Sequence, residues 1–541
     1  MKRLYSCAGL MMPLIASAAV AAEAGRPSTP ELTRFSAYIE RARAEFENVG
    51  MAVAVVKGDQ VVFVQGFGLK QHGKPGRIDP DTLFQIGSTT KAFTGAALGA
   101  LVDEGKLHWD DKVIDYLPGF RLQDPWLTRN LTVRDTVTHR SGIADSPYFV
   151  FALMNADQAM EQLRYIPAKF AFRDSYNYSN LMYGVAGQIA AAAAGTSWNQ
   201  VVKSRLLQPL DMKRSGTSAY EFWDASQVTP TFLGSASADK VSYSDSRDPD
   251  VAMPHLLDEH GVPHVIAWQS YDNAAAAGTL VTSANDMAHW LIMNLNQGRF
   301  AGRQVLSADT VRELHAVQNL RTGPEFYDPG FPFQGAVQGY TIGWHRVSYH
   351  DQPLLVHGGG IIGFPAYAAL MPEQKLGVVV LANSSQKFAA DGHALRKAIT
   401  LRAFDALLKV PLREWSQEFL ARSKPVVAAA RAKEQEREAS RLKNTAPSLP
   451  LGKYVGDYED RALHSGRLLV QLDGGQLTLR FAGAGAFGGV LDHWQRDVFR
   501  LHSKVLAASD FFASFRIDPN GNVTALDLFG AMFERVPTET H

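Results

Sequence analysis

The stretch Phe84-Gln85-Ile86-Gly87-Ser88-Thr89-Thr90-Lys91-Ala92-Phe93 places a hydroxyl and an amine three residues apart at the start of an apolar run. Positions i and i+3 of a helix share a face, so the Lys91 amine can reach the Ser88 hydroxyl. A serine hydroxyl is a weak nucleophile until a neighbouring base takes its proton, and a desolvated lysine can act as that base. The stretch therefore predicts a nucleophile and a base on one helical turn.

The spacing of this pair is not unique within the chain. Ser237/Lys240, Ser384/Lys387 and Ser440/Lys443 show the same spacing. Other parts of the sequence must therefore decide which pair carries chemistry.

Composition indicates a folded protein of several domains. A chain of 541 residues exceeds what one compact core accommodates, so two or three domains are expected. A hydrophobic content of 46% with 20% charged residues is that of a globular protein rather than a disordered one. The formal net charge is zero, which gives no electrostatic reason to expect nucleic acid or an anionic membrane as a partner. The sequence does not indicate the oligomeric state.

The N-terminus has the pattern of an export signal. Lys2 and Arg3 form a basic start, and Ala8–Val20 is an apolar stretch that ends in small residues. Cleavage after Ala22 is predicted, which makes residues 1–22 a signal peptide. The apolar run is short for a membrane span, and this disfavours an anchor. We therefore predict a periplasmic or secreted protein with no integral membrane segment after cleavage.

The sequence predicts neither a metal site nor a cofactor. The single cysteine, Cys7, lies within the predicted signal, so the mature chain would have no thiol, disulfide or cysteine metal site. His260 and His264 are spaced like metal ligands on a helix, but Gly261 and Pro263 disfavour a helix there.

The order of predicted elements indicates one mixed α/β (α+β) domain over residues 31–410. Two strands, Met51–Lys57 and Gln60–Leu69, precede a helical centre, and further strands and a last helix follow it. We expect a mainly antiparallel sheet completed by both ends of this region. The other predicted helices are Leu32–Phe46, Asn180–Ala194, Trp198–Leu207, Ala284–Leu295 and His393–Leu408, and the other strands are Tyr340–Val347, Pro353–Val356, Ala366–Met371 and Leu376–Leu381.

Two more units follow this domain. Arg413–Lys443 is charged and helix-favouring, which predicts a solvated helical connector within residues 411–449. Residues 450–541 contain short strands separated by turns such as Asp473-Gly474-Gly475, which is typical of a small antiparallel, barrel-like β-domain. The strands predicted there are Leu468–Leu472, Gln476–Phe481, Val498–Ser503, Ala513–Ile517 and Val523–Leu528.

A proton carrier is predicted in Tyr178-Ser179-Asn180, just before an apolar helix. A tyrosine beside a lysine becomes more acidic and can then pass a proton between a serine and its leaving group. The Asn180 amide would orient both Lys91 and a substrate carbonyl. Tyr271-Asp272-Asn273 has the same pattern, so this motif also decides nothing by itself.

The glycine run His357-Gly358-Gly359-Gly360 directly follows a predicted strand. Glycines at a strand edge let a substrate backbone approach closely and leave N–H groups available, which places Gly359 and Gly360 at the substrate. We predict that the N–H groups of Gly360 and Ser88 form an oxyanion hole. One such donor typically contributes about 2.7–4 kcal/mol to the transition state.

Taken in order, three of these motifs resemble the signatures of penicillin-recognising serine hydrolases. They are Ser88-Thr89-Thr90-Lys91, Tyr178-Ser179-Asn180 and His357-Gly358-Gly359. The resemblance is closest to the branch of class C β-lactamases, D-alanyl-D-alanine carboxypeptidases, D-aminopeptidases and related esterases, and it extends from about Phe35 to Leu408. It implies a β-lactamase-like domain with an antiparallel sheet and a helical subdomain. The order of the motifs selects Ser88/Lys91, because the other three pairs come too late.

Other segments look like parts of the same framework. Leu131–Arg134, Thr138–Ile143 and Gly278–Met287 resemble family framework segments, for which we expect a packing role. The C-terminal β-domain is similar to the lipocalin-like domain appended to some family peptidases and uncharacterised hydrolases. Tyr454–Tyr458 and Asp492–Trp494 carry that similarity.

The third motif departs from the pattern of the antibiotic-hydrolysing members at its first residue. A lysine stands there in β-lactamases and in most carboxypeptidases, where it helps to hold a substrate carboxylate, whereas this chain has His357. An imidazole with an ordinary pKa of about 6.5 is largely neutral at neutral pH and binds a carboxylate less strongly than an ammonium. D-Aminopeptidases and several family peptidases look similar at this position. The residue argues against efficient β-lactam hydrolysis and leaves acylation by a β-lactam open.

The resemblance implies an exported serine hydrolase that forms an acyl-enzyme on Ser88. Lys91 and Tyr178 are both candidates for the base that takes the first proton, since coupled groups can share that role. The expected substrate is a small molecule or peptide with an amide or ester bond: D-amino-acid peptides, short esters and β-lactams, in that order. The alternative is a penicillin-binding or sensing protein that is acylated without turnover.

Overall fold

The computed structural model describes most of the chain. The described residues are 30–143, 155–230, 241–258, 260–320, 339–385, 392–460, 467–482, 484–503, 511–528 and 530–537. The predicted signal peptide lies outside these ranges, as do Ser237, Lys240 and Lys387.

Helices and strands are labelled in chain order. The helices are α1 Phe35–Glu45, α2 Thr90–Asp103, α3 Val113–Tyr116, α4 Pro125–Asn130, α5 Val133–Val137, α6 Ala156–Gln162, α7 Asn180–Ala194, α8 Trp198–Val202, α9 Ala275–Gly278, α10 Ala284–Leu295, α11 Ala308–His315, α12 Ala394–Leu408 and α13 Trp415–Ser440. The strands before the connector are β1 Gly50–Lys57, β2 Gln60–Gly68, β3 Phe84–Gln85, β4 Val228–Pro230, β5 His255–Leu257, β6 Pro263–Val265, β7 Trp268–Ser270, β8 Val281–Thr282, β9 Arg299–Phe300, β10 Arg303–Gln304, β11 Asn319–Leu320, β12 Gly339–Tyr340, β13 His345–Tyr349, β14 Gln352–Ile361, β15 Phe364–Met371 and β16 Leu376–Ala382. The strands after the connector are β17 Gly456–Glu459, β18 Arg467–Asp473, β19 Gln476–Phe481, β20 Ala484–Gln495, β21 Val498–Ser503, β22 Phe511–Ile517, β23 Val523–Leu528 and β24 Ala531–Arg535.

One eight-stranded antiparallel sheet organises the first domain. Its order is β11-β12-β13-β14-β15-β16-β1-β2. The last strand of this domain, β16, therefore pairs with its first, β1, with Met51 opposite Ala382. The predicted fold class is confirmed, including the completion of the sheet by both ends of the region.

The sheet is covered on both faces, and this explains why β1 is apolar along nearly its whole length. Ala52 and Ala54 face the helical centre, whereas Met51 and Val53 face the layer formed by α1 and α12. Because successive side chains of a strand point to opposite faces, a strand buried on both sides reads as a continuous apolar run.

Two of the predicted strands differ from the structure: one continues further than predicted, and one is interrupted. β14 does not end at Val356 but continues to Ile361, because Gly358, Gly359 and Gly360 pair with β15. Tertiary pairing here overrides the weak strand preference of glycine. The predicted strand Tyr340–Val347 is interrupted, so that the chain comes close to α2. At the interruption Gly343 has a φ of +88°, and a Cβ there would lie 2.5 Å from Ala92 Cα.

The C-terminal domain is a closed eight-stranded antiparallel barrel of β17 to β24. Its interior is filled by alternating apolar side chains, such as Leu477, Leu479 and Phe481 of β19. The predicted barrel-like domain is therefore confirmed. Three of its strands, β17, β20 and β24, were not predicted.

The connector helix α13 is attached to the first domain at its N-terminal end. Its buried residues are Trp415, Ser416, Phe419 and Ser423, and most of the remaining helix is exposed. Asp405 of α12 is fully buried and accepts two donors, the Tyr349 hydroxyl and, at 2.7 Å, the Trp415 indole N–H. One carboxylate thus joins the sheet, α12 and α13. Among the described residues, no helix is both long and apolar enough to cross a membrane.

Replacing Asp405 with alanine should destabilise this junction. The change leaves the buried Tyr349 and Trp415 donors without their acceptor, and each orphaned donor costs about 1–3 kcal/mol. We expect the free energy of unfolding in urea to fall by about 3 kcal/mol. Glu373→Ala, at an exposed turn of the same sheet, is the control and should change it by less than about 0.5 kcal/mol. Equal effects of the two substitutions would contradict the structural role of Asp405.

Candidate active site

Ser88 lies in a short 3-10 turn, Gly87–Thr89, that leads directly into α2. The turn packs tightly against β14: Gly87 has a φ of +50°, and a Cβ at this position would lie 2.5 Å from the Gly360 nitrogen. Only glycine fits this combination of backbone angle and contact. The Ser88 side chain remains partly exposed while its neighbours Gly87 and Thr89 are buried. The Ser88 hydroxyl is thus held by a fixed backbone and is partly exposed to solvent.

Lys91 is one turn further along α2, and its side chain is 0% exposed. Its amine nitrogen lies within hydrogen-bonding distance of three oxygens: Ser88 Oγ at 3.1 Å, Asn180 Oδ1 at 2.6 Å and Ala277 O at 2.9 Å. These three contacts hold Nζ in one position. The predicted reach from Lys91 to Ser88 is therefore present in the structure.

Tyr178 also contacts the Ser88 hydroxyl. Its hydroxyl donates to Ser88 Oγ at 2.8 Å, and its ring lies with its centroid 4.8 Å from Lys91 Nζ. Asn180 begins α7, where the Ser179 hydroxyl caps the helix by accepting the Met182 N–H at 3.4 Å. The predicted residues Ser88, Lys91, Tyr178 and Asn180 thus form one connected group.

The glycine end of β14 forms a wall of the same site. Pairing of β14 with β13 stops at Val356, whereas pairing with β15 continues to Ile361, so the glycines have a strand on one side only. The Ser88 turn lies close by, since a Cβ on Gly359 would fall 1.8 Å from Ile86 O. Gly360 is exposed. Gly359 and Gly360 therefore lie beside the Ser88 turn, and an oxyanion hole formed by the N–H groups of Gly360 and Ser88 stays a prediction.

Gly359→Ala should damage the site severely. Its Cβ would overlap the Ile86 carbonyl, which is backbone and cannot rotate away, so the Ser88 turn and β14 must separate. A displacement of about 1 Å can cost a hundredfold in rate, and we expect at least that loss of kcat/KM on an ester substrate. Gly119→Ala is the control: this glycine is exposed between α3 and α4, and nothing lies within 4 Å of its new Cβ. Similar activities of the two variants would refute the close packing of β14 on the turn.

His357 is placed differently from a surface carboxylate ligand. It is 2% exposed, its Nδ1 lies 2.7 Å from Gly358 O, and its Nε2 lies 3.2 Å from the Tyr340 hydroxyl. Tyr340 in turn contacts the hydroxyl of Tyr183, 3.3 Å away. Burial raises the pKa of both tyrosines well above the ordinary value, so both remain neutral hydroxyls. The imidazole is therefore buried beside the glycine end of β14, and a role for it in binding substrate stays a prediction.

The segment Thr138–Ile143, which the sequence analysis assigned to packing, contacts the site directly. The His139 ring is fully buried and its centroid lies 4.3 Å from that of Tyr178. Sequence reasoning missed this residue, because the contact depends on folding of segments about 40 residues apart. The signal that could have found it was the resemblance of Thr138–Ile143 to a framework segment of the family.

A buried carboxylate, Asp135, connects the segment that contains His139 to the segment just before Tyr178. Asp135 is 0% exposed and pairs with Arg140 at 2.7 Å and with Arg173 at 2.7 Å. Burial by itself raises the pKa of Asp135, but the hydrogen bonds from Arg173 and Thr132 and the charge of Arg140 outweigh it and hold the pKa below the ordinary value. The carboxylate is therefore ionised wherever the protein is folded at neutral pH. Within the described ranges, no three His, Cys, Asp or Glu side chains are grouped as metal ligands would be.

A lysine and a tyrosine that both contact one serine, beside the glycine end of β14, are the arrangement that the resemblance to the β-lactamase fold predicted. Comparison with known families agrees. The family model described as Beta-lactamase matches residues 35–401, and the chain belongs to that family. The resemblance predicted from the three motifs is confirmed. A second model, a domain of unknown function (DUF3471), matches residues 440–539, which include the barrel.

Similar proteins come from fungi, bacteria and archaea. The unguisins hydrolase of Aspergillus campestris is 28% identical over 76% of this chain and 72% of its own length, and that of Aspergillus violaceofuscus is 25% identical over 72% and 68%. Among solved structures, an octameric penicillin-binding protein homologue from Pyrococcus abyssi has a TM-score of 0.55 at 22% identity, covering 92% of this chain and 99% of its own. SurE has a TM-score of 0.53 at 22% identity, covering 94% and 99%. At these identities the structural likeness concerns the fold.

Proposed function

We propose that this protein hydrolyses amide or ester bonds through an acyl-enzyme on Ser88. The observation that carries the proposal is the pair of proton carriers on one oxygen: Tyr178 Oη at 2.8 Å and Lys91 Nζ at 3.1 Å from Ser88 Oγ. Both lie within the distance that general acid–base catalysis requires. Family membership supports the reaction class, because members of this family are generally serine hydrolases.

The reaction would run in two halves. Ser88 Oγ attacks the substrate carbonyl carbon and gives its proton to Lys91 or Tyr178, while the N–H groups of Ser88 and Gly360 stabilise the oxyanion. The bond to the leaving group then breaks, and the leaving group takes a proton from the same pair. Water enters, gives a proton back to that pair, and attacks the ester. Release of the acid returns the proton to Ser88 Oγ.

The proposed substrates are small D-amino-acid peptides first and short esters second. His357 supports this order, because it is buried and bonded to Gly358 O and Tyr340 instead of presenting a permanent cation to a carboxylate. The names of similar proteins support a hydrolase that accepts D-amino-acid groups: two are hydrolases of unguisins, and SurE has been solved with D-Leu. β-Lactams are placed third.

Labelling and turnover test the proposal together. Intact-protein mass spectrometry after a fluorophosphonate should show one adduct on the wild type and none on Ser88→Ala. A panel of D-alanyl peptides, p-nitrophenyl esters and nitrocefin should then show turnover, with nitrocefin slowest. A stable penicillin adduct without turnover of any substrate would instead establish a penicillin-binding or sensing protein. Folded protein without any adduct on Ser88 refutes both functions.

We also propose that the protein is exported to the periplasm or secreted. The basic start and apolar stretch of residues 1–22 support this. N-terminal sequencing of protein from the exported fraction of the native host should give Glu23 as the first residue. A cytoplasmic protein that retains Met1 would contradict export without affecting the proposed chemistry.

A further inference from the structure

We infer that His139 is a positioning residue that fixes Tyr178 against the nucleophile. This role rests on the proposed function. His139 is 0% exposed and adopts a φ of +56°, which non-glycine residues rarely do. A histidine held in this conformation, at the centre of a cluster of tyrosines, calls for a physical reason.

The first reason is that His139 holds the backbone on both sides of Tyr178. Its carbonyl accepts the N–H of Asn177 at 2.8 Å, and its ring nitrogen Nδ1 accepts the N–H of Ser179 at 3.0 Å. One residue therefore fixes the peptide groups before and after the tyrosine. Because Nδ1 accepts a hydrogen bond, it carries no proton, so the imidazole is neutral in this arrangement.

The second reason is the contact between the two rings. The ring centroids of His139 and Tyr178 are 4.3 Å apart with an interplanar angle of 31°, so the imidazole covers a face of the phenol. The centroid of the Tyr340 ring also lies 4.5 Å from that of the His139 ring. With its backbone bonded and its ring covered, Tyr178 is held where its hydroxyl reaches Ser88 Oγ at 2.8 Å.

His139 is itself held in place by the surrounding chain. Asn319 Nδ2 donates to the carbonyl of His139 at 3.0 Å and to that of Thr138 at 3.2 Å. The next residue, Arg140, pairs with buried Asp135 and accepts the Arg173 N–H through its carbonyl at 2.8 Å. The imidazole therefore belongs to a rigid support, which is what precise placement of a catalytic group requires.

Three substitutions separate the hydrogen bond from the ring contact. His139→Phe keeps a ring and removes the Nδ1 acceptor. His139→Asn keeps a short acceptor and tolerates the left-handed backbone, as asparagine generally does. Tyr178→Phe removes the hydroxyl that His139 is inferred to position, and thus provides the background in which His139 should no longer matter.

The test measures kcat and KM on a D-alanyl peptide, whose amine leaving group needs the proton that Tyr178 supplies, and the rate of Ser88 labelling by a fluorophosphonate. We expect His139→Phe to lower kcat about a hundredfold, the cost of about 1 Å of misplacement, with KM changed less than threefold. In the Tyr178→Phe background the same substitution should cost less than threefold, since groups that act as a unit are not additive. Unchanged kcat, or an equal loss in both backgrounds, overturns the inference.

His139→Asn keeps the inference falsifiable if His139→Phe does not fold. Folded His139→Asn should retain kcat within tenfold of the wild type, and a larger loss overturns the role of the Nδ1 acceptor. Failure of the proposed function looks different, because wild-type protein would then show no labelling of Ser88. Normal wild-type labelling, combined with a kcat on the peptide that His139→Phe leaves unchanged, rejects only the role of His139.

Discussion

Lys91→Ala should lower kcat/KM by at least a hundredfold on both ester and amide substrates. Lys91 is fully buried, and its amine contacts Ser88 Oγ, Asn180 Oδ1 and Ala277 O at 3.1, 2.6 and 2.9 Å. The substitution removes a proton acceptor from the nucleophile, and general base catalysis typically contributes about 10²–10⁴-fold. It also leaves Asn180 without the donor that orients its amide. The measurement is initial-rate kinetics on p-nitrophenyl acetate and a D-alanyl peptide.

The chain offers a matched control for this substitution. Lys443 follows Ser440 by the same three residues, but there the serine hydroxyl donates to Arg437 O at 2.9 Å, at the end of the exposed connector. Lys443→Ala should leave both rates within twofold. Near-normal activity of folded Lys91→Ala would remove the lysine from the mechanism and make Tyr178 the sole base.

The same comparison shows what the sequence could predict and what it could not. Spacing made Ser88/Lys91 and Ser440/Lys443 equivalent, and only the order of distant motifs separated them. In the structure the two pairs have different surroundings. Residues of α7 and α9 contact the Lys91 amine, whereas Ser440 and Lys443 lie at the solvated end of a helix. Local patterns specify the face of a helix, but burial of that face depends on elements almost 200 residues away.

The glycine run shows a second limit. The apolar residues before His357 predicted a strand that ends just before the glycines. They did not predict that β14 continues through the glycines to Ile361. It depends on pairing with β15 on one side and on close packing against the Ser88 turn on the other. The burial of His357 follows from the same packing, and residue type alone does not reveal it.

His139 shows the reverse case, a residue present in a quoted segment whose role was underestimated. Its φ of +56° and its contacts with Asn177 and Ser179 arise only when two separate segments meet. The Asp135 pairs with Arg140 and Arg173 bring those segments together. Sequence patterns therefore identified the groups that meet at Ser88, but not the residues that orient them, because orientation is a property of tertiary contacts.

Tyr178→Phe should separate the two roles that the geometry leaves to Lys91 and Tyr178. The phenol donates to Ser88 Oγ at 2.8 Å, so it is placed to return a proton to a leaving group. A departing amine needs that proton, whereas p-nitrophenolate leaves without one. We therefore expect kcat/KM to fall at least a hundredfold on a D-alanyl peptide, within the ~10²–10⁴ range for general acid catalysis, and at least tenfold less on the p-nitrophenyl ester.

The control is Tyr271→Phe, in the stretch Tyr271-Asp272-Asn273 that has the same spacing of tyrosine and asparagine. It should change either rate by less than threefold. Unequal losses for Tyr178→Phe, combined with equal losses for Lys91→Ala, assign the first proton to Lys91 and the leaving group to Tyr178. Equal losses for Tyr178→Phe would contradict the relay and make the phenol the base for acylation. Either pattern is decisive, because both groups reach the same oxygen and only the leaving group differs between the substrates.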